Sequence, residues 1–201
     1  MADQLLTGTT LVENTSRSIG DIPVGGIIEW DDTYTNLPEG FKECDGSVVA
    51  DPLSSYNGAT LPNYNTQYWS CEGSNFHGIA PDASNVDYNI ANGVCTQNTN
   101  AEELMGPVFL PNGAIVTGFI VYSNVSTDAA SLRRVTISSA AVADMSSEQT
   151  FNSEDTSISN ATIDNSLYGY YIVTTSLANT NQIYGARIKY TPRQKFIIRI
   201  R

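Results

Sequence analysis

The chain has 201 residues, which is enough for one sizeable core or for a small domain joined to a larger one. Charged residues make up only 15% of it and the formal net charge is −11, so solubility depends on hydroxyl and amide side chains more than on ion pairs. No stretch approaches the roughly 20 apolar residues of a membrane-spanning helix, and the start Met1-Ala-Asp-Gln is unlike a signal peptide, so we expect neither membrane insertion nor signal-dependent secretion.

The N-terminal segment 1–21 has weak hydrophobic periodicity and many Thr, Ser and Asn residues. Such a segment buries little apolar surface by itself, so we expect an arm that becomes ordered only against a partner subunit. Two short strands are then predicted, one ending at Trp30 and one carrying Cys44 after a turn at Pro38 and Gly40. A tight Asp45-Gly46 turn and a loop ending in proline follow.

The order of these segments resembles the tail-collar module of phage short tail fibres and related adhesins. The resemblance covers residues 22–68 and is carried by Ile22–Trp30, Leu37–Ser47 and Tyr56–Asn63. It implies a structural or receptor-binding part of a virion, in contact with other virion proteins and located on the virion or outside the cell. It also implies a homotrimer, which agrees with the small core that a module of about 45 residues can form alone.

Residues 69–104 are rich in Gly, Asn and Ser, and Cys71 and Cys95 lie within them. The segment is long for a structureless loop, so it is either a functional excursion or is held by a cross-link. We predict a Cys71–Cys95 disulfide, which would stabilise the fold by roughly 3 kcal/mol in the chain-entropy model. Cys44 is expected to be a buried free thiol. A zinc site is not expected, because the cysteines lack paired spacing and the chain has one His.

The same segment contains loop oxygens that could hold Ca²⁺, at Asp82, Asn85 and Asp87. The run lacks the Gly and the terminal Glu of an EF-hand, so Ca²⁺ is a possible ligand and no other cofactor is expected.

Aromatic residues lie in or beside this polar segment, where flat rings and amides together suit sugar or protein binding. We predict a surface for a host glycan or host protein formed by Tyr64, Tyr68, Trp69, Phe76 and Tyr88. The alternative is that these rings cover a junction between two modules, and we expect that alternative to hold for at least half of them.

Residues 105–201 are predicted to form an antiparallel β-sandwich of jelly-roll type, because strands rich in aromatic and β-branched residues alternate with short polar turns. The predicted strands are Ala114–Tyr122, Leu132–Ser138, Tyr168–Leu177 and Ile183–Tyr190. A hairpin is predicted to join the last two through Asn179–Gln182. Between residues 140 and 166 the predicted inward anchors are Met145, Phe151, Ile158 and Ile163.

The C-terminus is basic, with six of the ten basic residues in residues 187–201 and no acid among them. This tail is expected either to lie against its own domain or a neighbouring subunit, or to be a final edge strand. The residues assigned to assembly are Lys195, Phe196, Ile198, Arg199, Ile200 and Arg201. Alternation would place Phe196, Ile198 and Ile200 on one side. Nucleic-acid binding is not expected, since the acidic remainder would repel a polyanion.

Catalytic motifs are not recognised in the sequence. A hydrolase would need a base near its nucleophile, and His77 is the only His. A pair of catalytic carboxylates could be chosen only formally, from Asp31, Asp32, Glu102 and Glu103. We interpret these four residues as solvated acids of turns and loops. We therefore expect a non-enzymatic, all-β protein with a collar-like module before a sandwich. The alternatives are a cell-surface protein that polymerises by strand exchange and, third, a glycan-degrading enzyme.

Overall fold

The structure is a computed structural model that describes residues 5–7, 10–12, 21–31, 37–78, 86–89, 91–98 and 101–201. These residues form strands and irregular segments, with a 3-10 turn at Gly73–Asn75. The predicted all-β class is therefore confirmed. Within the described ranges, no helix has the length and apolar character needed to cross a bilayer.

Sixteen strands are described. The first eight are β1 (Leu5–Thr7), β2 (Thr10–Val12), β3 (Ile27–Asp31), β4 (Phe41–Glu43), β5 (Gln67–Glu72), β6 (His77–Gly78), β7 (Val86–Asn89) and β8 (Val94–Gln97). The other eight are β9 (Leu104–Val108), β10 (Ile115–Ser123), β11 (Ala129–Thr136), β12 (Val142–Asp144), β13 (Gln149–Thr150), β14 (Tyr168–Thr174), β15 (Gln182–Thr191) and β16 (Gln194–Arg199).

The chain divides into two compact units, which we call the first unit, residues 1–67 with 191–201, and the second unit, residues 68–190. This division corrects two predicted boundaries. The C-terminal strand belongs with the collar-like segment and not with the sandwich. Residues 69–104 are not a separate loop region, because β6 pairs with β9, β7 pairs with β8, and β8 pairs with β15.

The first unit is organised around β16, which lies between β3 and β4 in a three-stranded antiparallel sheet. Alternation along β16 buries residues on both faces of this sheet. On one face Ile198 and Ile200 pack with Cys44, and Phe196 packs beside them; on the other face Ile197 packs with Trp30. The predicted edge strand is thus a central strand, because β3 and β4 pair with its two edges.

The second unit is a β-sandwich of a five-stranded sheet and a six-stranded sheet. The five-stranded sheet has the order β10-β15-β8-β7, with β5 also paired with β15, and the six-stranded sheet has the order β12-β11-β14-β9-β6, with β13 also paired with β11. One core of buried side chains from both sheets lies between them. The predicted anchors Met145, Phe151 and Ile163 are buried in it and Ile158 packs against it, which confirms them.

The predicted hairpin between the last two sandwich strands is wrong. Strand β14 pairs with β11 and β9 in the six-stranded sheet, whereas β15 lies in the five-stranded sheet. The connecting turn carries Thr180 at φ 72°, and its Asn181 side-chain Nδ2 donates to Asp128. The segment is a turn as predicted, but it carries the chain from one sheet to the other.

Candidate functional site

The five predicted surface aromatics are divided between the two units and differ in burial. Tyr64 belongs to the first unit, where its ring lies edge-on to Phe196 with centroids 5.9 Å apart, and the other four belong to the second unit. Phe76 is fully buried in the sandwich core, so its assignment as a ligand-binding residue is wrong. The reason is local: Gly106 of β9 has no side chain, and the Phe76 ring occupies the space above it. Trp69 is partly buried against the same core.

Tyr68 is the predicted aromatic that lies in a structured cluster on the surface. Its side chain is exposed, at 55%, and the guanidinium carbon of Arg187 lies 5.2 Å from its ring centroid. The same guanidinium lies 5.9 Å from the ring centroid of Tyr122. We call Tyr68, Tyr122, Arg187 and the nearby Glu154 the Tyr68 surface.

The five-stranded sheet positions these side chains. Strand β15, which carries Arg187, pairs with both β10, which carries Tyr122, and β5, which carries Tyr68. Val121 and Ile188 are the chain neighbours of Tyr122 and Arg187, and both are buried in the core. Because successive side chains of a strand point to opposite faces, Tyr122 and Arg187 point away from the core on adjacent strands.

Glu154 completes the cluster through a weak ion pair. The distance from Arg187 Nη2 to Glu154 Oε1 is 3.7 Å, and both side chains are partly exposed, at 40% and 34%. A charge-assisted hydrogen bond is usually about 2.7–2.9 Å long, so this pair is a loose contact. Gly118 of β10 leaves room for it, since a Cβ at that position would lie 3.1 Å from Glu154 Oε1 and 3.5 Å from Lys189 Cβ.

Sequence reasoning found Tyr68 but missed Tyr122, Arg187 and Glu154. Arg187 was counted with the basic C-terminus, although the alternation within Ile183–Tyr190 could have placed it on the outer face. The neighbourhood of Glu154 was not predictable by alternation, because the segment between β13 and β14 is irregular.

A second aromatic feature is a groove of about 320 Å³ at the β9 and β14 ends. It is lined by Val108, Phe109, Leu110, Asn165, Tyr168, Gly169 and Tyr170. Phe109 is 76% exposed, and the guanidinium carbon of Arg134 lies 4.2 Å from the Tyr168 ring centroid. The sequence analysis did not single out this groove, because Phe109 lies beside the Pro111–Gly113 turn and outside any predicted strand.

Tyr88, the remaining predicted aromatic, faces His77. The Tyr88 hydroxyl lies 3.4 Å from His77 Nδ1, and the two ring centroids are 6.1 Å apart. Burial is the main cause that raises the pKa of Tyr88, with smaller contributions from Cys95 and Glu102. The hydrogen-bond partner of the single His is thus a phenol, whereas a hydrolase of the Ser–His or Cys–His type needs a nucleophile there.

The predicted Ca²⁺ ligands are only partly within the described residues, because Asp82 and Asn85 lie outside them. Asp87 lies on β7, and its Oδ2 accepts a hydrogen bond of 2.9 Å from Asn98 Nδ2. In the part of the chain that the structure describes, no three His, Cys, Asp or Glu side chains are grouped to hold a metal ion. Calcium binding stays a prediction.

The predicted disulfide is not formed, since Cys71 and Cys95 are both free thiols and so is Cys44. Strand pairing holds the segment that the disulfide was expected to close, with Cys71 in β5 and Cys95 opposite Ile183 of β15. Burial raises the pKa of Cys71 to about 11 and that of Cys95 to about 12. Cys44 is fully buried, as predicted.

The C-terminal residues assigned to assembly lie inside the first unit. Both edges of β16 are paired within the chain, with β3 on one side and β4 on the other. Its basic side chains meet acids of the same unit, since Lys195 Nζ lies 3.2 Å from Glu43 and Arg201 Nη2 lies 3.0 Å from Glu39. The C-terminal strand β16 thus lies neither in the predicted sandwich domain nor at a sheet edge, and it packs within the first unit.

No protein-family model matches the chain. No curated protein matches it either. One similar solved structure is the C-terminal CBM6 of LamC, a marine laminarinase from Zobellia galactanivorans, at 12% identity and a TM-score of 0.36 over 63% of this chain and 100% of that one. Another is CBM86, a low-affinity xylan binding module from Roseburia intestinalis, at 12% identity and a TM-score of 0.35 over 63% of this chain and 96% of that one. TM-scores this low indicate no ligand for the present chain.

Proposed function

We propose that this protein is a non-catalytic receptor-binding component of a virion, which attaches to host-surface glycans through the Tyr68 surface. The observation that carries the binding role is the exposed Tyr68 ring beside Arg187 and Tyr122 on one sheet face. The virion role is supported by the resemblance of residues 22–68 to the tail-collar module.

The chemistry of the Tyr68 surface suits a sugar. A tyrosine ring offers a flat, rigid apolar face to the C–H groups of a sugar ring, and it loses little conformational entropy on binding. Arg187 supplies donors and Glu154 supplies acceptors for sugar hydroxyls, and both side chains are partly exposed. Because Arg187 and Tyr122 stand on paired strands, the binding groups are held in fixed positions before the ligand arrives.

The same cluster supports binding more than cleavage. Hydrolysis of a glycoside normally requires two carboxyl groups about 5–9.5 Å apart on either side of the bond. The Tyr68 surface as defined here contains one carboxylate, Glu154. We therefore propose binding without turnover, and the release of reducing ends from a bound glycan would contradict it.

We further propose that the protein acts as a homotrimer in contact with other virion proteins. The small buried clusters of the first unit support this, because a unit with little core gains stability from association. Size-exclusion chromatography with light scattering tests it. A discrete trimer is the expected result, whereas an open-ended ladder of species would indicate a polymer-forming surface protein.

The binding role is tested with the full chain on a glycan array and on host cells. Tyr68→Ala is expected to weaken binding by about 10-fold or more, the usual range for a central aromatic at an interface. Phe109→Ala is the matched control, since it removes an even more exposed ring from the same unit. Loss of binding only in Phe109→Ala would move the site to the groove, and no glycan binding by the unmodified protein would overturn the proposal.

A further inference from the structure

Arg187 differs from Arg133 of the second unit in how its charge is neutralised. The other two basic side chains of this unit are Arg134, whose guanidinium also lies over a tyrosine ring and whose Nε is also buried without a hydrogen-bond partner in the described part of the chain, and Lys189. Arg133 Nε lies 2.7 Å from Asp144 Oδ1, a tight charge-assisted contact. The ion pair of Arg187 is looser, with 3.7 Å between its Nη2 and Glu154 Oε1. Its charge is therefore less fully neutralised than that of Arg133.

Aromatic contacts, more than hydrogen bonds, position the Arg187 guanidinium. Its Nε is buried and has no hydrogen-bond partner among the described residues, while the rings of Tyr68 and Tyr122 lie within 5.9 Å of its guanidinium carbon. Cation–π contacts of this kind orient the planar group. Because Nε is inaccessible and the side chain is 40% exposed, its terminal NH₂ groups are the donors available to a ligand.

A second cation strengthens the local positive potential. Lys189 follows Arg187 by two residues on β15, and alternation places both on the outer face of the sheet. The chain as a whole carries −11, so two neighbouring cations on one strand make this part of the face unlike the average surface. A negatively charged ligand is favoured at such a place and disfavoured over most of the remaining surface.

We propose that the Tyr68 surface binds acidic glycans, with Arg187 receiving a sugar carboxylate or sulfate. The inference rests on the proposed glycan-binding function and specifies its ligand class. The anion displaces Glu154 from the loose pair and accepts two parallel N–H donors from the fork of the guanidinium. The adjacent Tyr68 ring then packs against the C–H face of the same sugar or of its neighbour.

A glycan fits this surface better than an acidic peptide does. The aromatic ring that Arg187 touches is more than half exposed and lies on a sheet face, which suits stacking of a flat sugar ring. An extended peptide normally gains its affinity from a free strand edge. Strand β15, which carries Arg187, offers no such edge, since it pairs with β10 and with β5 and β8. Strand β5 pairs with β15 alone among the described strands, and the peptide probe below tests its other edge.

The test measures binding of defined probes to the full chain by calorimetry or biolayer interferometry. The acidic probes are a heparin octasaccharide, an oligogalacturonate and sialyllactose; the neutral probes are cellohexaose and lactose; the peptide probe is oligoglutamate. The unmodified protein is expected to bind at least one acidic glycan at least about 10-fold more tightly than the neutral probes, a difference that one charge-assisted hydrogen bond accounts for. Raising the salt concentration is expected to weaken that binding.

Four variants separate a specific site from general attraction of anions. Arg187→Ala is expected to lose about 10-fold or more in affinity, and Arg187→Lys to lose part of it, because lysine keeps the charge but not the planar fork. Glu154→Gln is expected to bind about twofold to fivefold more tightly, since the competing negative charge is gone while the amide oxygen of Gln still accepts from a sugar hydroxyl. Arg133→Gln is the matched control, because it removes one similarly exposed positive charge from the other sheet.

The outcomes distinguish this inference from the proposed function. Equal binding of neutral and acidic glycans, lost in Tyr68→Ala but kept in Arg187→Ala, would overturn the acidic ligand and leave the glycan-binding function intact. Equal losses in Arg187→Ala and Arg133→Gln would show general electrostatic attraction and overturn the inference. Binding of oligoglutamate alone, or of no probe, would overturn both.

Discussion

The two units of this chain build β-structure in opposite ways. The second unit surrounds one continuous core shared by two sheets. The first unit has two small buried clusters, on either face of a three-stranded sheet whose central strand comes from the other end of the chain. A polar, β-rich fold can thus be stabilised either by one large core or by a single strand that is distant in the sequence.

The location of β16 sets the conditions under which the first unit can form. Residues 27–31 and 41–43 pair with residues 194–199, so the two ends of the chain must come together before this sheet can form. Closing so long a loop has an entropic cost that local strand pairs avoid. We therefore expect the first unit to be the less stable of the two and to depend on β16 as a whole.

The largest expected effect comes from truncation after Arg193, which removes β16. Without it, β3 and β4 lose their partner, and both small clusters lose members. We expect residues 21–67 to lose protection from hydrogen exchange entirely, while the core strands β10, β11 and β14 keep theirs. Exchange mass spectrometry on the truncated and full chains measures both.

A shorter truncation provides the control. Removing Arg201 alone deletes a residue beyond β16, together with its ion pairs to Glu39 and Asp51. Exposed pairs of this kind contribute about 0–1 kcal/mol each, so the first unit should remain protected. If residues 21–67 stayed protected from hydrogen exchange in the chain that lacks β16, the expected dependence of the first unit on this strand would be wrong.

An intermediate effect is expected from glycine turns, on which the first unit depends. Gly40 has φ 82°, and a Cβ there would lie 2.8 Å from the backbone oxygen of Arg201. Gly58 has φ 80°, but a Cβ there meets nothing within 4 Å. Gly40→Ala should destabilise the first unit by about 2–4 kcal/mol, from left-handed strain together with the clash, and Gly58→Ala by about 1–2 kcal/mol, from strain alone.

Gly169 of β14 gives the corresponding comparison in the second unit. A Cβ there would make an ordinary contact of 3.5 Å with Val135. Gly169→Ala should change stability by less than about 1 kcal/mol, because alanine restricts the unfolded chain without straining the strand. Urea denaturation measures the change in unfolding free energy of the three variants. Equal losses of stability in Gly40→Ala and Gly58→Ala would show that the close contact with the Arg201 backbone is relieved by a small shift.

What could be predicted from the sequence follows the range of the interactions. The four predicted sandwich strands match β10, β11, β14 and β15, because alternation and β-branched residues act locally. The partner of each strand was not predictable, so β16 was expected at an edge and β15 in a hairpin with β14. The disulfide failed for the same reason, since spacing alone does not reveal that Cys71 and Cys95 lie in two strands, β5 and β8, that each pair with β15.

The candidate site shows the same limit. Tyr68 could be selected by its residue type and polar surroundings, but so was Phe76, which is buried. Arg187 is separated from Tyr68 by more than a hundred residues in the sequence, and only sheet order brings them together. A site whose side chains come from several strands can therefore be predicted only when the strand pairing is known.

The most gradual expected effect concerns alkaline pH and the buried thiols of the two units. Burial raises the pKa of Cys71 to about 11 and of Cys95 to about 12, from an ordinary value of 9.0, and burial also raises the pKa of Cys44 in the first unit. Above pH 9 the unfolded chain releases these protons while the folded chain keeps them. Stability is therefore intact below pH 9 and falls as the pH rises toward the folded pKa values.

For fully buried Cys95, the loss is at most about 1.4 kcal/mol of unfolding free energy per pH unit above pH 9. Melting temperatures between pH 8 and pH 11 measure it, and the chain truncated after Arg193 isolates the transition of the second unit. Cys95→Ala lowers the melting temperature at every pH because it leaves a small cavity, but its decline above pH 9 should be shallower. If the melting temperatures of the Cys95→Ala variant and its parent declined in parallel above pH 9, Cys95 would ionise equally well in the folded and the unfolded chain. The other groups that titrate in this range are present in both proteins and cancel in the comparison.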